Sequence, residues 1–231
     1  MRPPLPPAGS CFRSASAGQE TAMPRTWDVL QRIAAERLVA IVRRGTREEA
    51  AADVEALLTA GALVVEVSLT TPGALSVVEQ AAATAGPDVV LGVGTVLSAA
   101  DVRLASLAGA RLVVTPTFDP DVVRAARRYG VVTVVGCGSA SEMLSALSCG
   151  ADAVKLFPAS TWTPADLRGL LQALPQLPVV PTGGVSLEDA PEWVAAGAVA
   201  VGIGSALTAG DAAQTGARLG ELRARLADAA P

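Results

Sequence analysis

The sequence predicts a (β/α)8 TIM barrel with an N-terminal helix, on three observations. The chain has 231 residues, an ordinary length for one such barrel. Half of it is hydrophobic while aromatics make up only 3%; small and β-branched residues suit helices laid closely on parallel strands. Short apolar runs alternate with Ala/Leu-rich stretches, and the run ends recur every 20–30 residues or so, the length of one βα unit. An open, doubly wound sheet is the alternative, but no GxGxxG opens a helix after the first run.

The elements follow in order. Residues 1–22 are rich in Pro, Ser, Gly and Ala and have no apolar core of the secretory type. They read as a disordered tail, with Met23 as an alternative start and a transit peptide as the other option. The catalytic domain is expected over 23–231, with a leading helix at 26–36. The eight predicted strands are LVAIVR (38–43), LVVEVSL (63–69), VVLGVG (89–94), LVVTP (112–116), VVTVV (131–135), AVKLF (153–157), PVVPT (178–182) and VAVGIG (199–204). Runs apolar on both faces belong to buried parallel strands. Thr46, Ser98, Asp119, Ser139 and Ser186 precede helical stretches and suit N-caps. Gly61, Gly109, Gly130, Gly150 and Gly197 suit helix C-termini.

Composition excludes several function classes. The net charge is −4 with no basic stripe, which argues against nucleic acid as a partner. Every apolar run is broken by Gly, Pro, Asp or Arg, so no membrane span is expected. Cys11, Cys137 and Cys149 fit no zinc or CxxC spacing and read as reduced thiols of a cytoplasmic protein. There is no histidine, which removes Ser–His and Cys–His pairs and histidine-ligated metals. Of the eighteen cationic side chains one is lysine, Lys155. Lysine can lose its proton inside a protein; arginine cannot.

Strand parity then places side chains. Val39, Ile41 and Arg43 share a face, as do Val64, Glu66 and Ser68, and Ala153, Lys155 and Phe157. A charge inside an apolar strand faces the barrel mouth or is buried at high cost. Arg43, Glu66 and Lys155 are therefore expected in one interior, near the C-terminal end of the strands where barrel active sites lie. Burial and a neighbouring Arg43 would lower the lysine pKa and free a nucleophilic amine. Without histidine, Glu66 is the natural proton shuttle; a plain salt bridge is the alternative for both residues. Gly183–Gly184 and Gly204–Ser205 follow strands seven and eight, where barrels often bind phosphate, and the latter pair is expected to open the last helix. Thr95, Thr115 and Pro116 either line the mouth or serve as turn residues.

At these residues the chain resembles the KDPG/KHG aldolase family, whose substrates are 2-dehydro-3-deoxy-6-phosphogluconate and 4-hydroxy-2-oxoglutarate. The matching pieces span Trp27 to Leu226: AIVR, VVEVSLTTPGAL, GVGTVL, VTPTFDPDVV, AVKLFPAS, VVPTGGVSLED and VGIGSAL. The resemblance implies a metal-free class I aldolase without cofactor, usually trimeric, in which Lys155 forms the imine and Glu66 moves protons. It implies that Arg43, Thr70, Thr95, Pro116, Phe157 and Thr182 bind the carboxylate and pyruvate end. Gly183, Gly184, Gly204 and Ser205 would hold the phosphate. Two positions depart from the usual pattern. Thr70 stands where many members have arginine, and Val135–Gly136–Cys137 where proline often precedes glycine. Thr182 leans toward the gluconate epimer, since galactonate-type relatives tend to be apolar there. A 4-hydroxy-2-oxoglutarate or 2-dehydro-3-deoxy-6-phosphogalactonate aldolase, a phosphosugar isomerase and a non-catalytic sugar-phosphate binder are the alternative readings.

Overall fold

A computed structural model describes residues 25–229. The expected tail at 1–22 lies outside the described residues. The chain opens with helix α1 (Arg25–Glu36), then alternates strand and helix: β1 (Leu38–Val42), α2 (Arg47–Thr59), β2 (Val64–Ser68), α3 (Ala74–Thr84), β3 (Val90–Gly94), α4 (Ala99–Leu107) and β4 (Leu112–Val114). There follow α5 (Pro120–Tyr129), β5 (Val132–Cys137), α6 (Ala140–Cys149), β6 (Ala153–Leu156), α7 (Pro164–Ala173), β7 (Val179–Pro181), α8 (Ala190–Ala195), β8 (Val201–Ile203), α9 (Ser205–Thr208) and α10 (Ala212–Asp228).

The eight strands are parallel and ordered β7-β6-β5-β4-β3-β2-β1-β8. A single bridge between Thr182 and Gly202 joins the two ends and closes the barrel. All eight strands are buried along their whole length, which is why their sequences read as largely apolar runs. Alternate residues split into two cores. Ala40, Val65, Val93, Val113, Val135 and Val154 face the helices. Val39, Ile41, Val64, Val90, Leu112, Val114, Val132, Val134, Ala153, Val180 and Ala200 fill the barrel. The parity expected for β1, β2 and β6 is the parity observed.

Helix α1 seals the lower end. Val29 and Ile33, four residues apart and so on one helix face, join the inner core at 1% and 2% exposure. Each contributes about 1.5–3 kcal/mol of burial, and together they leave the upper, C-terminal end as the open one.

Thr46, Ser98, Asp119 and Ser139 cap helices as expected, each accepting a backbone N–H. Gly61, Gly109, Gly130, Gly150 and Gly197 all take left-handed backbone at helix ends. Two expectations need correction. Ser186 does accept N–H bonds from Glu188 and Asp189, but it closes a local turn, and α8 begins only at Ala190. Pro191 suits the first turn of a helix and not its interior, which delays the start. Gly204 and Ser205 open the four-residue α9 and not the last helix; α10 starts afresh at Asp211, whose carboxylate accepts from Gln214 N–H.

In the upper layers the inward positions of three strands are glycine: Gly92 and Gly94 on β3, Gly136 on β5, Gly202 at β8. A barrel interior is ordinarily filled by branched side chains; here the room left by the glycines is taken by neighbouring groups, Leu112 at Gly92, Glu66 at Gly94, the Pro116 backbone at Gly136 and Thr182 at Gly202. At Gly136 the neighbouring backbone has moved in. A Cβ there would overlap the Pro116 carbonyl and lie 2.6 Å from Thr117 N, and Gly136 N donates to Thr115 Oγ1 at 3.0 Å. Gly136→Ala is expected to destabilise the protein by about 1–3 kcal/mol, measured as a lowered urea midpoint. Val135, the departure from the family pattern, points to the outer core, so Gly136 and not residue 135 shapes this wall.

Candidate active site

The open end of the barrel holds a cavity of 430 Å3, lined by Arg43, Lys155, Phe157, Thr182, Gly183, Gly184, Gly204 and Ser205 among others. Eight residues singled out from the sequence thus meet in one place, drawn from the ends of β1, β6, β7 and β8. Glu66 is not on that surface. It lines a narrow space just beneath, which shares Thr182 and Gly202 with the main cavity.

Lys155 is 5% exposed and Glu66 2%. Among the described residues no close ion pair engages either one. They influence each other through space instead. Burial holds the Lys155 amine below the ordinary lysine range; Glu66 opposes the shift and Arg43 reinforces it. Burial likewise raises the Glu66 carboxyl above the ordinary range, against the pull of Lys155 and Arg43. Both shifts favour the uncharged forms, the direction that suits an amine nucleophile and a carboxyl that moves protons. The Phe157 ring lies 4.7 Å from Lys155 Nζ. A ring face favours the ammonium by about 0.5–2 kcal/mol, while desolvating a buried cation costs several, so the neutral amine gains overall.

Glu66 has its place because β3 carries no side chain opposite it. A Cβ on Gly94 would overlap Glu66 Oε1 and sit 2.9 Å from Glu66 Cγ. Gly202 does the same for Thr182, whose Cβ would be 3.1 Å from a Cβ added there. Gly183 and Gly184 have φ of 79° and 102°, a left-handed backbone that L side chains resist. They are also pressed against the segment that follows β6: a Cβ on Gly183 would reach Phe157 Cε2 at 2.8 Å, and one on Gly184 would reach Ser160 Cβ at 2.6 Å. Ser160 N donates to the Gly183 carbonyl at 2.9 Å, locking the two loops together.

The remaining predicted residues lie on the neighbouring side, off the cavity lining. Ser68 Oγ shares hydrogen bonds of 2.8 Å with Thr70 Oγ1 and with Thr95 Oγ1. Thr70 is exposed and Ser68 fully buried. Thr95 holds φ at 60°, a strained conformation for a β-branched residue and one that clusters at functional sites. Pro116 is half-buried at the end of β4. Thr115 is a turn residue: it donates to the Thr117 carbonyl at 2.6 Å and accepts from Gly136 N. Sequence reasoning missed Ser68, Gly94 and Gly136. Parity puts Ser68 on the Glu66 face, and GVGTV contains Gly94.

Comparison with known proteins shows the family. The family profile described as KDPG and KHG aldolase matches residues 29–219. The 2-dehydro-3-deoxy-6-phosphogalactonate aldolase of Escherichia coli (strain K12) is 36% identical over 171 residues, 74% of this chain and 83% of that one. A solved structure described as native KDPGal superposes with TM-score 0.77 at 32% identity, covering 83% of this chain and 95% of that one. The KDPG aldolase of Legionella pneumophila, solved with pyruvate captured as a covalent carbinolamine intermediate, gives TM-score 0.72 at 28% identity over 87% and 98% of the two chains. An isomerase and a non-catalytic binder are thereby set aside. With a barrel of matching topology and a profile match across most of its length, the chain belongs to the KDPG/KHG aldolase family and is an aldolase, an enzyme of the lyase class.

Proposed function

We propose that this aldolase cleaves 2-dehydro-3-deoxy-6-phosphogluconate to pyruvate and glyceraldehyde 3-phosphate through an imine on Lys155. The observation that carries the reading is the chain's one lysine, buried in the barrel with its amine pKa lowered and a buried carboxyl beneath the same cavity. Lys155 Nζ attacks C2 of the keto acid to give a carbinolamine, which loses water to become a protonated imine. Glu66, directly or through a water, takes the C4 hydroxyl proton as the C3–C4 bond breaks. The bonding electrons flow into the imine, glyceraldehyde 3-phosphate leaves, and the enamine is protonated at C3 and hydrolysed to pyruvate. The imine serves as electron sink, so the scheme uses no metal or cofactor. Arg43, with the hydroxyls of Thr70 and Thr95, meets the carboxylate; Pro116, Phe157 and Thr182 bound the pyruvate end. Backbone N–H groups at Gly183–Gly184 and Gly204–Ser205 take the phosphate.

Borohydride reduction in the presence of pyruvate is expected to leave one three-carbon adduct, on Lys155. An unmodified lysine in an otherwise active enzyme overturns the scheme.

A second reading, cleavage of the galactonate epimer, is favoured by the Escherichia coli relative, itself a 2-dehydro-3-deoxy-6-phosphogalactonate aldolase. The Thr182 hydroxyl at the cavity wall supports the gluconate epimer instead. Ranking kcat/KM for the two epimers and 4-hydroxy-2-oxoglutarate decides among them. We also infer a homotrimer, supported by exposed Leu97, Leu104 and Leu107 around α4. Sedimentation giving one protomer per particle sinks that inference.

A further inference from the structure

We infer that Arg44 is a positioning residue: it holds the turn after β8 where Gly204 and Ser205 can meet the phosphate end of the substrate. The inference rests on the phosphate reading proposed above. Arg43 and Arg44 are chain neighbours with opposite directions. Arg43 lines the cavity, whereas Arg44 turns into the wall and ties three segments together. Its guanidinium grips Asp53 of α2 as a fork, Nε to Oδ2 at 2.6 Å and Nη2 to Oδ1 at 3.1 Å. Nη2 also donates to the Thr208 carbonyl at 2.6 Å, and Arg44 N donates to the buried hydroxyl of Thr71 after β2 at 3.1 Å.

Helix α9 needs such help. It has four residues, too few to be stable alone, and its last carbonyls have no donors within the helix. The donors come from two arginines. Arg44 serves Thr208, and Arg218 of α10 serves Leu207 at 3.0 Å and also Ala209. Gly204 and Ser205 form the other end of this one turn and line the cavity. Holding one end of so short an element sets the direction of the other. The side chains of Arg44 and Asp53 are 30% and 14% exposed, so the pair is better shielded than a surface ion pair of little consequence. A planar fork plus a third acceptor suits arginine and not lysine, a single point charge.

The test runs the reaction in the aldol direction with the full chain. Pyruvate is condensed with glyceraldehyde 3-phosphate and, separately, with unphosphorylated glyceraldehyde, using wild type, Arg44→Met, Arg44→Lys and Asp53→Asn. In Arg44→Met the KM for the phosphorylated aldehyde is expected to rise about tenfold, the scale of one weakened hydrogen bond to the phosphate. Its kcat, the KM for glyceraldehyde and pyruvate trapping on Lys155 should change little, and Arg44→Lys should recover part of the loss. Equal losses with both aldehydes, or no loss with either, overturn the inference. If Arg44→Met does not fold, Asp53→Asn carries the test, with a smaller rise confined to the same KM; any other pattern there counts against it. A wild type that shows no preference for the phosphorylated aldehyde defeats the phosphate reading itself. That result is distinct from a preference that survives in Arg44→Met, which defeats only the role of Arg44.

Discussion

Lys155→Met is expected to lower kcat by on the order of 10^5-fold, because no other group can replace a covalent nucleophile. Methionine keeps the length and apolar stem while removing the amine. The same change bears on stability, and the sign can be worked out. Lys155 in the folded protein has a pKa below its ordinary 10.5. Between those two values the unfolded chain holds the extra proton, so wild-type stability rises with pH across that window. Below it the full cost of burying the ammonium is present. Removing the amine removes that cost but leaves Glu66 with Arg43 alone as a counter-charge. The double variant Lys155→Met/Glu66→Gln removes both demands. It is expected to be about 1–4 kcal/mol more stable than wild type at neutral pH, as when a buried charge pair gives way to neutral packing. Urea unfolding measures this, and residual turnover in the single variant above a trace would end the nucleophile assignment.

Glu66→Gln is expected to lower kcat by about 10^2- to 10^4-fold, the usual weight of a general acid–base group. The pH profile gives a sharper readout. Imine formation needs the neutral amine, so the acid limb of kcat/KM follows the amine, and titration of so coupled a pair belongs to both groups. Glu66 raises the Lys155 pKa and Arg43 lowers it. Neutralising the carboxyl therefore moves the acid limb to lower pH; Arg43→Met moves it to higher pH. A limb that stays in place in both variants would mean that the two side chains do not feel the amine. Gly94→Ala reaches the same carboxyl by steric means, since its new methyl claims the space of Glu66 Oε1, and it should lower kcat with Glu66 still present.

The sequence revealed the barrel because most strands are apolar on both sides and most helices start and stop on local chemistry. Thr46, Ser98, Asp119 and Ser139 act on N–H groups two or three residues away, so their role is visible in a short window. Parity along β1, β2 and β6 sufficed to bring Arg43, Glu66 and Lys155 together, since one interior receives every second residue. Reasoning failed where the determining partner is distant in the chain. Gly94 matters through Glu66, twenty-eight positions earlier, and Gly136 through the Pro116 backbone. Arg44 carries no local signal in the sequence; its role depends on Thr208, 164 residues away. Ser186 had the right local pattern for a cap, but Pro191 moved the helix start downstream.

The α1 helix beneath the strands has a kinetic consequence. With Val29 and Ile33 filling the base, the reaction chamber is a blind well, and entry and exit share one passage. In the reaction proposed above, the three-carbon acid stays bonded to Lys155 in the interior while the phosphorylated aldehyde lies toward the rim. Release must therefore be sequential, aldehyde first and pyruvate second, and product inhibition by pyruvate should follow the pattern of a ligand that binds the empty enzyme.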